Sequence, residues 1–165
     1  MGVAGQARKI ALGWDEHAEL VRITIPEVAT GGTVDITGSN AIVFDFQWRY
    51  MDDSKGVVEG GLVATARVGM FQLREKKHAK LFVGTKADHP DPGPDPRCSL
   101  RDAWKAAVTA GLPAGGTVSV KYAAEPPGHA GLPYVWMFKA AGHEHMIDGA
   151  TCGARVAPPP KPPAP

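Results

Sequence analysis

From Ala41 to Tyr50 the chain reads AIVFDFQWRY, and its largest side chains occupy every second position. Ile42, Phe44, Phe46 and Trp48 point one way, and Val43, Asp45, Gln47 and Arg49 point the other. Alternation of this kind predicts a strand with one face on a core. YVWMFKAA repeats the pattern, with Tyr134, Trp136 and Phe138 sharing a face. VRITI, TVDIT, GLVATARVGMFQL, AKLFVG, TVSVKYA and HEHMIDG supply further predicted strands.

Two stretches carry the helical period instead. In CSLRDAWKAAVTAGLP, the residues Leu100, Ala103, Trp104, Ala107 and Val108 fall on one helix face. Ser99 and Asp102 form a variant of the capping box, Gly111 suits the left-handed cap, and Pro113 blocks continuation. In QARKIALGWDEHAEL the corresponding face is Ala7, Ile10, Ala11, Trp14 and Ala18, weakened slightly by Gly13. All four tryptophans, Trp14, Trp48, Trp104 and Trp136, therefore fall on predicted inner faces.

Each helix precedes a run of strands, and TKADHPDPGPDPR lies between the two sets. Pro90, Pro92, Pro94 and Pro96 exclude both helix and central strand there. The expected fold is α+β: two small units, each one helix packed on an antiparallel β-sheet. Residues 1–84 form the first unit, 85–97 a semi-rigid linker, 98–156 the second unit, and 157–165 a proline-rich tail of polyproline II character. GGTVDIT at Gly31–Thr37 resembles GGTVSVK at Gly115–Lys121, which suggests a tandem repeat.

Composition narrows the function classes. The chain has 165 residues, 44% of them hydrophobic, with 20 glycines and 15 prolines. That suits a globular chain of short elements and many turns. A net charge of +1 argues against binding driven by neutralising nucleic-acid phosphates. The basic cluster REKKHAK, Arg74 to Lys80, reads as a solvated hairpin face. No apolar run approaches the roughly 20 residues that span a bilayer, so no membrane insertion is expected from this segment. The opening MGVAGQARK has no apolar signal region, so a secretion signal is not expected within this chain.

The order of helix, antiparallel strands and a final MIDGATCGARV resembles the PepSY-type domain, over about Leu100 to Val156. The matching positions are Trp136 and Phe138 in the aromatic strand, and Ile147, Asp148, Thr151 and Gly153 in the last hairpin. Cys152, inserted between Thr151 and Gly153, departs from that pattern. The first unit lacks a comparable ending. The resemblance implies a non-catalytic, extracytoplasmic module of inhibitory, regulatory or binding type, with a protein partner.

Several residues carry candidate chemistry. Cys98 and Cys152 bracket the second unit, and a disulfide between them would pin the helix start to the last hairpin. Closing such a loop stabilises a small unit by about 4 kcal/mol, and it implies a periplasmic, cell-surface or secreted location. The alternative is two buried reduced thiols. His143 and His145 share a strand face at a spacing that suits zinc or copper, with Asp148 or His129 completing the set. The competing reading is an exposed polar strand face. His78 and His89 have no ligand-like neighbours.

Nucleophilic chemistry has little support: Ser99 reads as a helix cap, and Ser39, Ser54 and Ser119 lie in turn or strand contexts. Asp52 and Asp53 read as a hairpin turn. No cofactor is expected. The leading expectation is a non-enzymatic binding or regulatory module. A metal-binding protein or metal-dependent enzyme, and a structural subunit that self-assembles through strand edges, are the alternatives.

Overall fold

A computed structural model of the chain describes residues 2–76, 94–124, 133–140 and 142–155. The 79–84 strand expectation, most of the 85–97 linker, Val156 and the 157–165 tail lie outside the described residues, as do His78, His89 and His129.

The described elements run α1 (Val3–Trp14), β1 (Glu19–Val28), β2 (Ile42–Asp52), β3 (Gly56–Arg67), β4 (Met70–Lys76), α2 (Leu100–Thr109), β5 (Val118–Ala124), β6 (Tyr134–Ala140), β7 (His143–Asp148) and β8 (Ala154–Arg155). All eight strands belong to one antiparallel sheet, ordered β4-β3-β2-β1-β5-β6-β7-β8. This overturns the expected pair of units, each a helix on its own sheet. Of the described residues, 17% are helical and 50% lie in strands. The reason is that β1 and β5, which would each be an exposed edge, hydrogen-bond to one another. Ile23 faces Tyr122, Ile25 faces Val120 and Val28 faces Val118.

Both helices lie on the same face of this sheet. α1 packs on β2 and β3, and α2 packs on β6 and β7. Their buried alanines, Ala7, Ala11, Ala103 and Ala107, share one continuous core with Phe44, Phe46, Trp48, Tyr122, Trp136 and Phe138. Small residues on the helices let them sit close to the large aromatics that the strands project.

α2 follows the expectation in detail. Ser99 Oγ accepts from the Asp102 amide at 3.2 Å and donates to its carboxylate at 2.7 Å. Gly111, at φ +103°, ends the helix, and the buried Leu112 returns its amide to the Ala107 carbonyl at 2.9 Å.

α1 ends earlier than its periodicity predicts. Asp15 is already extended, and its carboxylate accepts the His17 amide at 2.8 Å, starting a turn. Ala18 is buried at the entry to β1, whereas Trp14 is 49% exposed and not on the inner face. The other three tryptophans are buried.

TVDIT is not a strand. After a single bridge between Ala29 and Thr33, Asp35 Oδ1 accepts both the amide and the hydroxyl of Thr37. Asn40 then ties the carbonyls of Glu27 and Asp35 together. GGTVDIT thus connects β1 to β2, while GGTVSVK leads from α2 into β5, so the two copies occupy different places in the topology. By contrast, Asp52 and Asp53 do sit at a hairpin turn, where Asp52 Oδ1 accepts from the Ser54 and Lys55 amides.

Gly60 is required by packing. Its strand partner Trp48 lays its indole across β3, and a Cβ on Gly60 would come within 2.4 Å of that ring. Gly60→Ala is expected to destabilise the fold by about 1–3 kcal/mol through overpacking. Gly13→Ala, which meets nothing within 4 Å on α1, should instead stabilise by about 0.5–1 kcal/mol. Urea denaturation of the two variants against the parent checks both signs.

Candidate functional site

Outside the register shifts of β1 at Leu20–Arg22 and Ile25–Val28, strand alternation sorts the side chains of the sheet to the helix side or the helix-free side. Phe44, Phe46 and Trp48 face the helices, so Val43, Asp45, Gln47 and Arg49 between them do not. Register carries the same rule across the sheet. On the helix-free side Arg22 lies opposite Asp45, Thr24 opposite Lys121, Lys121 opposite Met137, and Met137 opposite Met146. Lys139 pairs with Ser119 on one side and Glu144 on the other. The face therefore mixes cations with small and apolar residues.

Four of its carboxylates, those of Asp45, Glu59, Glu144 and Asp148, are committed to structural bonds. Asp45, only 5% exposed, accepts from Arg22 at 2.7 Å and from the Lys76 ammonium on the second oxygen. Glu59 pairs with Arg49 at 3.0 Å, and Glu144 with Lys139 at 3.4 Å. Asp148 accepts from the Ala150 and Thr151 amides, both at 2.9 Å, and from the Arg155 guanidinium.

Lys121 differs from these cations. It lies on β5, next to the centre of the sheet, and is partly buried. Among the described residues it makes no hydrogen bond or ion pair. Burial holds its ammonium below the ordinary lysine range, the charges of Arg22 and Lys139 press it the same way, and Glu144 acts in the opposite sense. Its position was open to sequence reasoning, because Val118, Val120 and Tyr122 alternate inward and turn Lys121 outward. What the sequence could not supply was its neighbours, Arg22 from β1 and Lys139 from β6.

The same alternation separates Asp148 from the two histidine candidates. His143 and His145 share the helix side, opposite Ala140 and Phe138, with ring centroids 6.5 Å apart. His145 lies near Gly111 at the end of α2, whose Cβ, if present, would be 3.7 Å from the imidazole. Asp148 points to the other face, so the structure does not bring the three together. Among the described residues no group of three or more His, Cys, Asp and Glu is arranged to hold a metal ion. Sequence reasoning also passed over His17, which stacks on Tyr50 at 3.9 Å with Nδ1 3.3 Å from Asp15.

Cys98 and Cys152 form a disulfide across 54 positions of sequence. It belongs to a closely bonded corner. The Cys98 amide donates to the Gly149 carbonyl at 2.8 Å, and the Trp136 indole donates to the Cys98 carbonyl at 2.9 Å. Gly149 packs against Tyr122, whose ring a Cβ would meet at 2.5 Å. Tyr122 in turn donates to the Pro94 carbonyl at 2.9 Å, and burial raises its phenol pKa. Cys152 adopts φ +61°, a conformation that only a well-braced turn holds in a non-glycine residue.

The chain matches no protein-family model, no curated protein and no solved structure among those it was compared with. In addition, no helix of the described residues is long and apolar enough to cross a membrane.

Two solution properties follow from this corner. Burial alone would raise the Asp148 carboxyl, but the Thr151 and Ala150 amides, the Arg155 guanidinium and the Thr151 hydroxyl outweigh it and bring the pKa to about 2. A depressed folded-state value stabilises above the unfolded value and loses that contribution as pH falls through the folded one. Asp148→Asn should therefore cost about 2 kcal/mol at pH 7. The gap to the parent should narrow below pH 4 and be largely gone near pH 2, as measured by denaturant titration across pH. Reducing the disulfide, or replacing both cysteines by serine, should cost about 4 kcal/mol on the chain-entropy model, read as a lower urea midpoint.

Proposed function

We propose that this chain is a non-enzymatic binding or regulatory module of an oxidising, extracytoplasmic compartment, and that it works through the helix-free face of its sheet. The observation that carries this reading is Lys121, a partly buried cation near the middle of a broad face that makes no hydrogen bond or ion pair among the described residues. Burying a charge without a partner is unfavourable, so a position that keeps one is better explained by a ligand than by stability. Four acids of that face, Asp45, Glu59, Glu144 and Asp148, support the same reading, since they are spent on neighbouring cations and turn amides rather than held for proton transfer.

The disulfide supports the compartment, because such bonds persist where the surroundings are oxidising. The PepSY-type resemblance implies the same class of role, through Trp136, Phe138 and Asp148.

Amide chemical-shift mapping of the full chain tests this reading. The panel should hold acidic, basic and uncharged peptides and saccharides, and small inorganic ions. At least one class is expected to shift amides of β1, β5 and β6 while leaving α1 and α2 unmoved. Shifts confined to the helices, or chemical conversion of a panel compound by the protein, would overturn it.

A further inference from the structure

We infer that the helix-free face holds an oxyanion, a phosphate or sulfate group, over Lys121 and between Arg22 and Lys139. This rests on the reading of that face as the working surface and adds the chemistry of what binds there.

The placement follows from register. Thr24 and Met137 flank Lys121 directly on β1 and β5's other neighbour, β6. Arg22 is two residues before Thr24, and Lys139 two residues after Met137. The three cations thus lie on one diagonal, each step roughly 7–8 Å between diagonal neighbours, with Lys121 in the middle. Side chains as long as these reach across such a step.

The donors suit an oxyanion. Arg22 is held by Asp45 through one terminal nitrogen, Nη2. The guanidinium has five N–H donors, so the others remain for a second acceptor. Lys121 offers three N–H donors on an ammonium that has no partner among the described residues. The Thr24 hydroxyl and the Ser119 hydroxyl, opposite Lys139, stand beside them. Asp45 is already balanced by Arg22 and Lys76, so Glu144, paired with Lys139, is the carboxylate that opposes an incoming anion.

The electrostatics point the same way. Lys121 is desolvated and repelled by both neighbouring cations. An anion bound among the three would relieve that repulsion and fill the donors at once.

The test uses the full chain at low ionic strength, by calorimetry and by NMR of the lysine side chains. Inorganic phosphate and sulfate probe the free ions, phenyl phosphate and phenyl sulfate probe the esters, and acetate is the control. At least one oxyanion should bind, shifting the Lys121 signal, with acetate weaker. Lys121→Met should weaken that binding about tenfold or more, and Lys121→Arg should retain it. Lys105→Met, on the exposed flank of α2, should leave it unchanged. Without ligand, Lys121→Met should melt at a higher temperature than the parent, because it removes a partly buried charge that has no partner among the described residues. Equal binding by Lys121→Met and the parent, or no oxyanion shifting Lys121, overturns the inference. If an uncharged compound then shifts the same face, the binding-module reading survives alone; if nothing binds there, both fall.

Discussion

The hydrogen bonding between β1 and β5 is the interaction on which the rest of this protein depends. Each half of the chain contributes a helix and four strands, and each half taken alone would end in an open strand edge. Pairing those two edges removes both at once. It also brings Ile23, Ile25 and Val28 against Tyr122, Val120 and Val118, which merges the apolar side chains of the two halves into one core. A contact between the halves outside the sheet reinforces the joint: Gly32, in the β1–β2 connection, lies so close to Trp104 of α2 that a Cβ there would meet its side chain at 2.8 Å. The described end of the linker adds two more, with Asp95 paired to Arg8 at 2.9 Å and the Pro94 carbonyl bonded to Tyr122.

The C-terminal corner is a second constraint, covalent this time. β8 has only two residues and could not hold its place by ladder hydrogen bonds alone. The disulfide, the Asp148 turn and the Arg155 ion pair secure it together. They also fix the start of α2, since Cys98 immediately precedes Ser99, its cap. One cross-link therefore positions a helix, a turn and the last strand.

Placing both helices on one side gives the two faces of the sheet different work. Beneath the helices, that side is an apolar core built on the aromatic residues. On the other side, most charges are matched to neighbours across the strands. Lys121, partly buried, has no such match among the described residues, and it lies at the β1–β5 seam. The interaction that joins the halves therefore also assembles the three-cation diagonal, because Arg22 comes from one half and Lys121 and Lys139 from the other.

Much of the local structure was legible in the sequence. The alternation in AIVFDFQWRY and YVWMFKA, the Ser99 cap, the Gly111 stop and the Asp52 turn all depend on residues near one another or on a steric rule of the backbone, and the Cys98–Cys152 pairing was suggested by the two cysteines bracketing the second unit. The early end of α1 and the loop at GGTVDIT were misjudged where short polar residues, Asp15 and Asp35, captured backbone amides that periodicity assigned to a helix or strand. Which strands lie side by side is another matter. A period of two states which side chains share a face, but it is the same whether β1 is an edge or pairs with β5. That choice is made by the total apolar surface buried when two edges meet, a sum over residues about a hundred positions apart. The sequence by itself thus determined the elements, their inner faces and the outward turn of Lys121. Only the tertiary structure decided that one sheet forms, and that Lys121 stands between Arg22 and Lys139.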